Sequence, residues 1–298
     1  MAHHHHNHST DTKNIGLTIV LNVGITVAQI IGGIISGSMA LLSDATHNFS
    51  DVLALLISYI ARKLSAKKST TSRTFGLRRA EIMASFINSA SLLGISVALI
   101  IGATERLFNP VAIEGNLVIY LAALSILLNG LSVILLKKEA KGSMNMRSAY
   151  LHLFTDMLTS IAVLLGGFAI KYLAWYWFDP VISLVIAFYL IYSSWSLFAN
   201  SLKIIMQYAP NSIDIIYLEK KICQLKGIKN IHHLHVWQLN DNEIMLEAHI
   251  DVEEDIRISQ FEEILTQIES ILEKFEIHHF NIQPEYSIAD NKNLIHQH

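Results

Sequence analysis

Six stretches of the chain run apolar for long enough to cross a bilayer, with approximate limits 15–36, 40–62, 81–107, 115–136, 149–172 and 180–204. A hydrocarbon core about 30 Å thick takes roughly 20 residues of helix, and only helices or closed barrels satisfy their own backbone polar groups inside it. The pattern therefore predicts an all-α bundle of six transmembrane helices. The first stretch lacks the basic start and small-residue cleavage site of a signal peptide, so it reads as the first span. Beyond Tyr208-Ala209-Pro210 the rhythm changes to a helix near 212–226, a strand over 230–240, a turn at Asn240-Asp241-Asn242, a strand over 243–252, a helix over 257–275 and a strand over 278–284. This α-β-β-α-β order predicts a small α+β domain of the ferredoxin-like, metallochaperone-like kind. The expected division is a tail over 1–14, a membrane domain over 15–206, a soluble domain over 207–286 and a flexible tail over 287–298.

Charge supports that division. Residues 1–206 carry 15 Lys and Arg against 9 Asp and Glu, whereas 207–298 carry 7 against 16. With 52% of the 298 residues hydrophobic and only 16% charged, a soluble core has too few charges to cover its apolar surface. The connection between spans 2 and 3 holds Arg62, Lys63, Lys67, Lys68, Arg73, Arg78 and Arg79, and that between spans 4 and 5 holds Lys137, Lys138, Lys141 and Arg147. The opposite connections show little beyond Arg106 and Lys171. The positive-inside rule then puts both termini in the cytoplasm, as an even number of spans requires. A multi-pass protein of the cytoplasmic membrane follows, with the lipid bilayer as its solvent. The acidic second part gives no reason to expect nucleic acid.

Ionisable residues inside spans are costly and usually face the bundle interior for a functional reason. His47-x-x-x-Asp51 in span 2 is repeated as His152-x-x-x-Asp156 in span 5. The i, i+4 spacing puts each imidazole and its carboxylate on one helix face. Two such faces turned together supply two nitrogens and two oxygens, a tetrahedral donor set that suits Zn2+ best among common divalent ions. The competing reading for any one of these residues is a buried polar group bonded to a neighbouring helix. Two identical spacings that use the only two histidines of the membrane part argue for a metal site. Asp44, one turn before His47, either lines the exit path or serves as a polar helix-start residue after Ser43. Asn22, Gln29, Asn48, Asn88 and Asn129 are expected to bond between helices. Gly32, Gly33, Gly94, Gly166 and Gly167 are expected where helices approach closely.

Four stretches, Ser38–Asp51 (SMALLSDATHNFSD), Thr74–Ile82 (TFGLRRAEI), His152–Asp156 (HLFTD) and His232–Trp237 (HHLHVW), make the chain resemble the cation diffusion facilitators, the zinc transporters of the CzcD and ZnT type. The likeness runs from about Asn14 to Glu285. It implies that His47, Asp51, His152 and Asp156 form the transport site, and that Zn2+ leaves the cytosol by alternating access in exchange for protons. It further implies a homodimer held partly through the cytoplasmic domains. A His at position 47 resembles the zinc-selective pattern rather than the one that also admits cadmium. No second zinc site is expected in the connection between spans 2 and 3, which has no His or Asp. An unperturbed imidazole titrates at about 6.5, so protons and Zn2+ compete for the same nitrogens.

Five of the 15 histidines, His3, His4, His5, His6 and His8, precede the first span and read either as an interrupted affinity tag or as a native metal-gathering tract. Eight lie in the soluble part. The resemblance assigns His232, His249 and Glu285 to a regulatory metal site there. Strand alternation leaves His249 polar-facing, whereas His232 shares parity with apolar Leu234 and Val236, so a β-bulge or a bent strand start is expected to reconcile them. His278 and His279 read as interface or solvent-facing residues, Trp237 as packing, and Cys223, the sole cysteine, as core. Zn2+ is thus expected as cargo and as regulatory ligand, without an organic cofactor. Two other classes compete with the transporter. A membrane metalloenzyme needs an open metal position, and no His-Glu-x-x-His pattern occurs; a metal-sensing receptor would use the same ligands without transport.

Overall fold

The computed structural model describes residues 9–136 and 144–295; the histidines of the first eight residues, the basic connection 137–143, and His296 and His298 lie outside the described residues. Six long helices come first: α1 (Ser9–Ser36), α2 (Met39–Ser65), α3 (Ala80–Phe108), α4 (Gly115–Leu136), α5 (Met144–Leu173) and α6 (Phe178–Ile205). They coincide with the six apolar stretches. Among the described residues, four segments are long and apolar enough to cross a membrane, Ala80–Phe108, Gly115–Ile134, Leu153–Leu173 and Phe178–Ile205. The apolar part described for α1, Asn22–Ser36, is shorter.

The described chain forms two compact units, one up to Tyr59 together with Ile87–Phe198, the other Ile60–Phe86 together with the residues from Ala199 onward. In the first unit, apolar side chains such as Ile34, Ile101, Ile134 and Tyr192 are exposed, as a hydrocarbon solvent allows. Its interior holds Leu41, Val118, Ala122, Val163, Ile186 and Leu190. Close approach of α4 and α5 depends on Gly167, where an added Cβ would lie 2.9 Å from Ile119 Cγ1 and 3.2 Å from the Ile119 amide nitrogen. Gly94 departs from expectation, since nothing among the described residues lies within 4 Å of its would-be Cβ.

The start of α2 is fixed by a carboxylate from another helix. Asp179, in the first turn of α6 and 1% exposed, accepts a hydrogen bond from the Ser38 hydroxyl, one of 2.7 Å from the Met39 amide, and contacts of 3.3 Å from the Ala40 amide. Ser38 Oγ in turn accepts from the Leu41 amide at 3.1 Å. The first amides of a helix have no partner within it and carry the positive end of its dipole, so a buried anion there satisfies both helix and carboxylate. A hydrogen bond of 2.6 Å between Ser43 and Ser183 adds a second polar tie between α2 and α6.

The second unit is an α+β domain. α7 (Ile215–Ile222) starts after Asp214, whose Oδ1 accepts from the Tyr217 amide at 3.0 Å. It is shorter than the pattern suggested because that cap sets its start and the chain then turns through Gly227, at φ +89°, into the sheet. β1 (Ile228–Asn240) and β2 (Glu243–Val252) are antiparallel, and β3 (His279–Glu285), after α8 (Ile258–Glu273), runs parallel to β2, in the order β1-β2-β3. The core is built from Leu218, Ile222, Ile231, Leu234, Leu246, Ile250, Ile268, Leu272 and Ile277.

Two segments without long secondary structure join this unit. The connection between α2 and α3 lies on the sheet: Phe75 meets His279 edge-on at 5.8 Å between ring centroids, and Arg78 pairs with Glu243. The segment after β3, read from its composition as a flexible tail, returns along β1. There Asn293 and Leu294 carbonyls accept from the His233 and Leu234 amides at 3.3 and 2.8 Å.

Replacing Asp179 by Ala should lower the stability of the detergent-solubilised protein by about 1–3 kcal/mol, the cost of stranding buried donors. Asp179→Asn should lose less, because one oxygen still accepts. Thermal unfolding of the three proteins side by side is the check, and an unchanged midpoint in Asp179→Ala would remove the capping role.

Candidate metal sites

In the membrane unit, α2 and α5 bring His47, Asp51 and Asp156 together. His47 Nε2 lies 3.1 Å from Asp156 Oδ1, and His47 Nδ1 lies 3.7 Å from Asp51 Oδ2 one turn along the same helix. His47 and Asp156 are buried and Asp51 is half-buried. One ligand atom from each of the three falls within 4.8 Å of the others. His152 is in α5, one turn before Asp156, and its side chain lies outside the described ones. Tyr189 of α6 stands edge-on to the His47 ring at 6.4 Å between centroids.

Asp44 is neither a helix-start residue nor a fourth ligand of this group. It sits five residues inside α2, fully buried, and accepts from Gln29 Nε2 of α1 at 2.6 Å, Thr159 Oγ1 of α5 at 2.8 Å and Ser160 Oγ of α5 at 3.0 Å. Asn48 Nδ2 donates to Gln29 Oε1 at 3.0 Å, and Ser160 continues to Ser125 of α4 at 2.8 Å. Three hydroxyl or amide donors hold one carboxylate, so it is satisfied without metal. The network ties α1, α4 and α5 to α2 one turn from His47. Sequence had marked Gln29 and Asn48 as inter-helix residues; Thr159 and Ser160 carried no signal, since hydroxyl side chains are common on helices that bury them.

The second group is in the α+β unit, at the edge where β1, β2 and the returning tail meet. The register pairs His232 with His249, and it slips between His232 and His235. His233 takes φ 51° at that slip. Of the two ways to reconcile the alternation, the strand takes the bulge: Ile231 and His232 are both buried, and Leu234 and Val236 resume the core face after it. His232 Nδ1 is bonded to Asn230 Oδ1 at 3.1 Å, which turns the Nε2 edge toward Glu285 Oε2 at 3.2 Å and Asp290 Oδ2 at 3.3 Å. His249 Nδ1 lies 2.7 Å from Glu285 Oε1 yet makes no hydrogen bond there. The His233 ring stacks on His249 at 4.6 Å. One ligand atom each from His232, His249, Glu285 and Asp290 falls within 4.8 Å of the others. Two imidazoles and two carboxylates are a donor set that fits Zn2+.

Three further residues here escaped sequence reading. Asp251 is buried beside the cluster, and its two-residue spacing from His249 on β2 was an available signal. Asp290 and Lys292 come from the tail, where no periodicity gives orientation. Lys292 Nζ lies 2.9 Å from Asp251 Oδ1 and 3.0 Å from Glu285 Oε2, and pairs with Asp290. Burial works against the ammonium charge, but the carboxylates of Asp290, Asp251 and Glu285 outweigh it and hold the lysine pKa above its usual value. His278 and His279 are exposed and stand apart from the cluster. Cys223 packs partly buried against the core, and burial pushes its thiol pKa up, which disfavours a thiolate ligand.

A polytopic helical domain joined to an α+β domain, each with imidazole and carboxylates gathered in one place, defines the class as an integral membrane protein with a soluble appendage. The chain matches the cation efflux transmembrane domain over residues 15–206 and the cytoplasmic domain of cation efflux proteins over residues 210–287. It belongs to the cation efflux family, whose members are metal-cation transporters and not enzymes. It is 35% identical to the cadmium, cobalt and zinc/H(+)-K(+) antiporter of Bacillus subtilis, over 98% of this chain and 94% of that protein. It is 31% identical to the metal cation efflux system protein CzcD of Cupriavidus metallidurans, over 95% and 90%. It is 30% identical to the zinc transporter ZitB of Escherichia coli, over 96% and 93%.

If Asp44 and Ser160 act as one unit, their replacement by Ala should be non-additive. The double variant should be more stable than the sum of the two single losses implies, by about 1 kcal/mol. Chemical or thermal unfolding of the four proteins of this cycle measures the coupling, and strict additivity would dissolve the network.

Proposed function

We propose that this chain exports Zn2+ from the cytosol in exchange for protons, binding it between α2 and α5 through His47, Asp51, His152 and Asp156. The observation that carries the reading is the 3.1 Å approach of His47 and Asp156 from separate helices, both buried in the helical unit. Such groups are costly in hydrocarbon unless they serve a cation or each other. Neutral His47 with two carboxylates leaves two negative charges that a divalent ion cancels; a proton on the imidazole cancels one of them. Metal and protons are therefore alternative occupants of one site, and opening it by turns to either side of the membrane converts a proton gradient into metal export.

Zinc is named for the Escherichia coli relative and, beside cadmium and cobalt, for the Bacillus subtilis one, whose name also supports proton exchange. An imidazole rather than a carboxylate at position 47 favours Zn2+ over Cd2+, the second cation to be tried. The protein works as a homodimer in the cytoplasmic membrane with both termini in the cytosol. In the cytoplasmic domain, His232, His249 and Glu285 hold a regulatory divalent ion that stabilises the transport-competent dimer; the support is the buried His249 Nδ1 without a hydrogen bond beside a carboxylate.

Zn2+ uptake by proteoliposomes under an imposed pH gradient tests the transport reading. The wild type should show pH-driven Zn2+ flux exceeding Cd2+ flux, and Asp51→Ala should lose it by more than about 100-fold, beyond the usual effect of changing a residue that only supports a ligand. Wild-type protein without pH-driven flux would exclude antiport, and undiminished flux in Asp51→Ala would exclude the site.

A further inference from the structure

The cytoplasmic cluster already holds a cation, and it is part of the chain. Lys292 Nζ stands 3.0 Å from Glu285 Oε2, pairs with Asp290 and is 3.4 Å from His232 Nε2. Those are three of the four groups that face one another as candidate metal ligands, His249 being the fourth. Asp251 supplies a further carboxylate to the ammonium at 2.9 Å. A zinc ion would bind the same donors at about 2.0–2.2 Å, and an ammonium cannot stay within hydrogen-bond reach of them without opposing a divalent charge at close range.

We propose that Lys292 is a tethered competing cation that sets the metal threshold of the cytoplasmic site, and that Asp290 is a donor to the ion that displaces it. This rests on the reading of His232, His249 and Glu285 as a metal site. Without metal the ammonium offsets one of the three carboxylate charges of Asp251, Glu285 and Asp290, keeping the cluster from repelling itself. With metal the ammonium moves out. The lysine side chain is 29% exposed, so it reaches the cluster from the surface and returns to water by rotation of its own bonds. The tail need not detach, because the Asn293 and Leu294 carbonyls are bonded to His233 and Leu234 and Leu294 packs against the core. Asp290 therefore remains in reach after Lys292 leaves. Occupancy then begins only when cytosolic metal outcompetes the lysine, which suits a site that should respond to excess.

Zn2+ titration of the full-length protein in detergent, with Asp51→Ala in every sample to silence the membrane site, tests this. The binding step belonging to the cytoplasmic site is the one that His249→Gln removes. Lys292→Met should tighten that step by about tenfold, the scale of one close charge pair, and Lys292→Gln should do the same. Adding Asp290→Asn to Lys292→Met should reverse most of the gain. Damage to the fold weakens binding, so a gain in affinity cannot come from a merely structural role. Thermal unfolding gives a second readout: without metal Lys292→Met should melt below the parent, and saturating Zn2+ should raise its midpoint more than the parent's. A His249-dependent step unchanged or weakened in both Lys292 variants overturns the competing-cation role and leaves the site standing. Absence of any His249-dependent step overturns both.

Discussion

A charged or titratable side chain inside hydrocarbon has no water to turn to, so every such group in the helical unit must be answered by the protein. The arrangement of α1, α2, α4, α5 and α6 follows from how three of these debts are met. Asp179 closes the start of α2, tying α6 to the α1–α2 turn. Asp44 gathers donors from α1 and α5. His47 meets Asp156 across α2 and α5. The first two carboxylates are held by hydrogen-bond donors of neighbouring helices, and the third group sets imidazole against carboxylate. Carboxylates held by hydroxyl and amide donors are thus distinct from carboxylates held against imidazole.

The same distinction recurs in the α+β unit, in water-accessible surroundings. A bulge at His233 brings His232 into the buried layer beside His249, and the ends of β2 and β3 add Asp251 and Glu285. A backbone in the left-handed region is costly for a residue with a side chain, and here it changes which face of β1 the histidine occupies. The concentration of acid at one edge is offset by Lys292. The α2–α3 connection meets the other end of the sheet, where Arg78 pairs with Glu243 of β2 and Phe75 meets His279 of β3.

Much of this was legible in the residues. Hydrophobic run length gave six helices because bilayer thickness fixes span length, and the His47-x-x-x-Asp51 spacing marked two residues of the membrane cluster because an i, i+4 pair shares a helix face in any tertiary setting. Alternation foresaw the need for a bulge near His232 but not its position. Asp44 was ambiguous because one helix turn fits either a cap or an interior position; only the donors on α1 and α5 separate the two. Gly94 was misjudged because a small residue signals close approach only when another helix is there.

The sequence by itself determined the six long helices, the division of charge, the element order of the cytoplasmic domain and the shared helix face of His47 and Asp51, since all of these are periodic and local. Only the tertiary structure decided that Asp179 caps a helix some 140 residues earlier, that Asp44 is enclosed by donors, and that Asp290 and Lys292 reach the histidines of β1 and β2. Those contacts join residues distant in the chain through irregular turns, where side-chain direction has no period to reveal it. They exist because burial leaves a charge no partner except whatever the fold brings near.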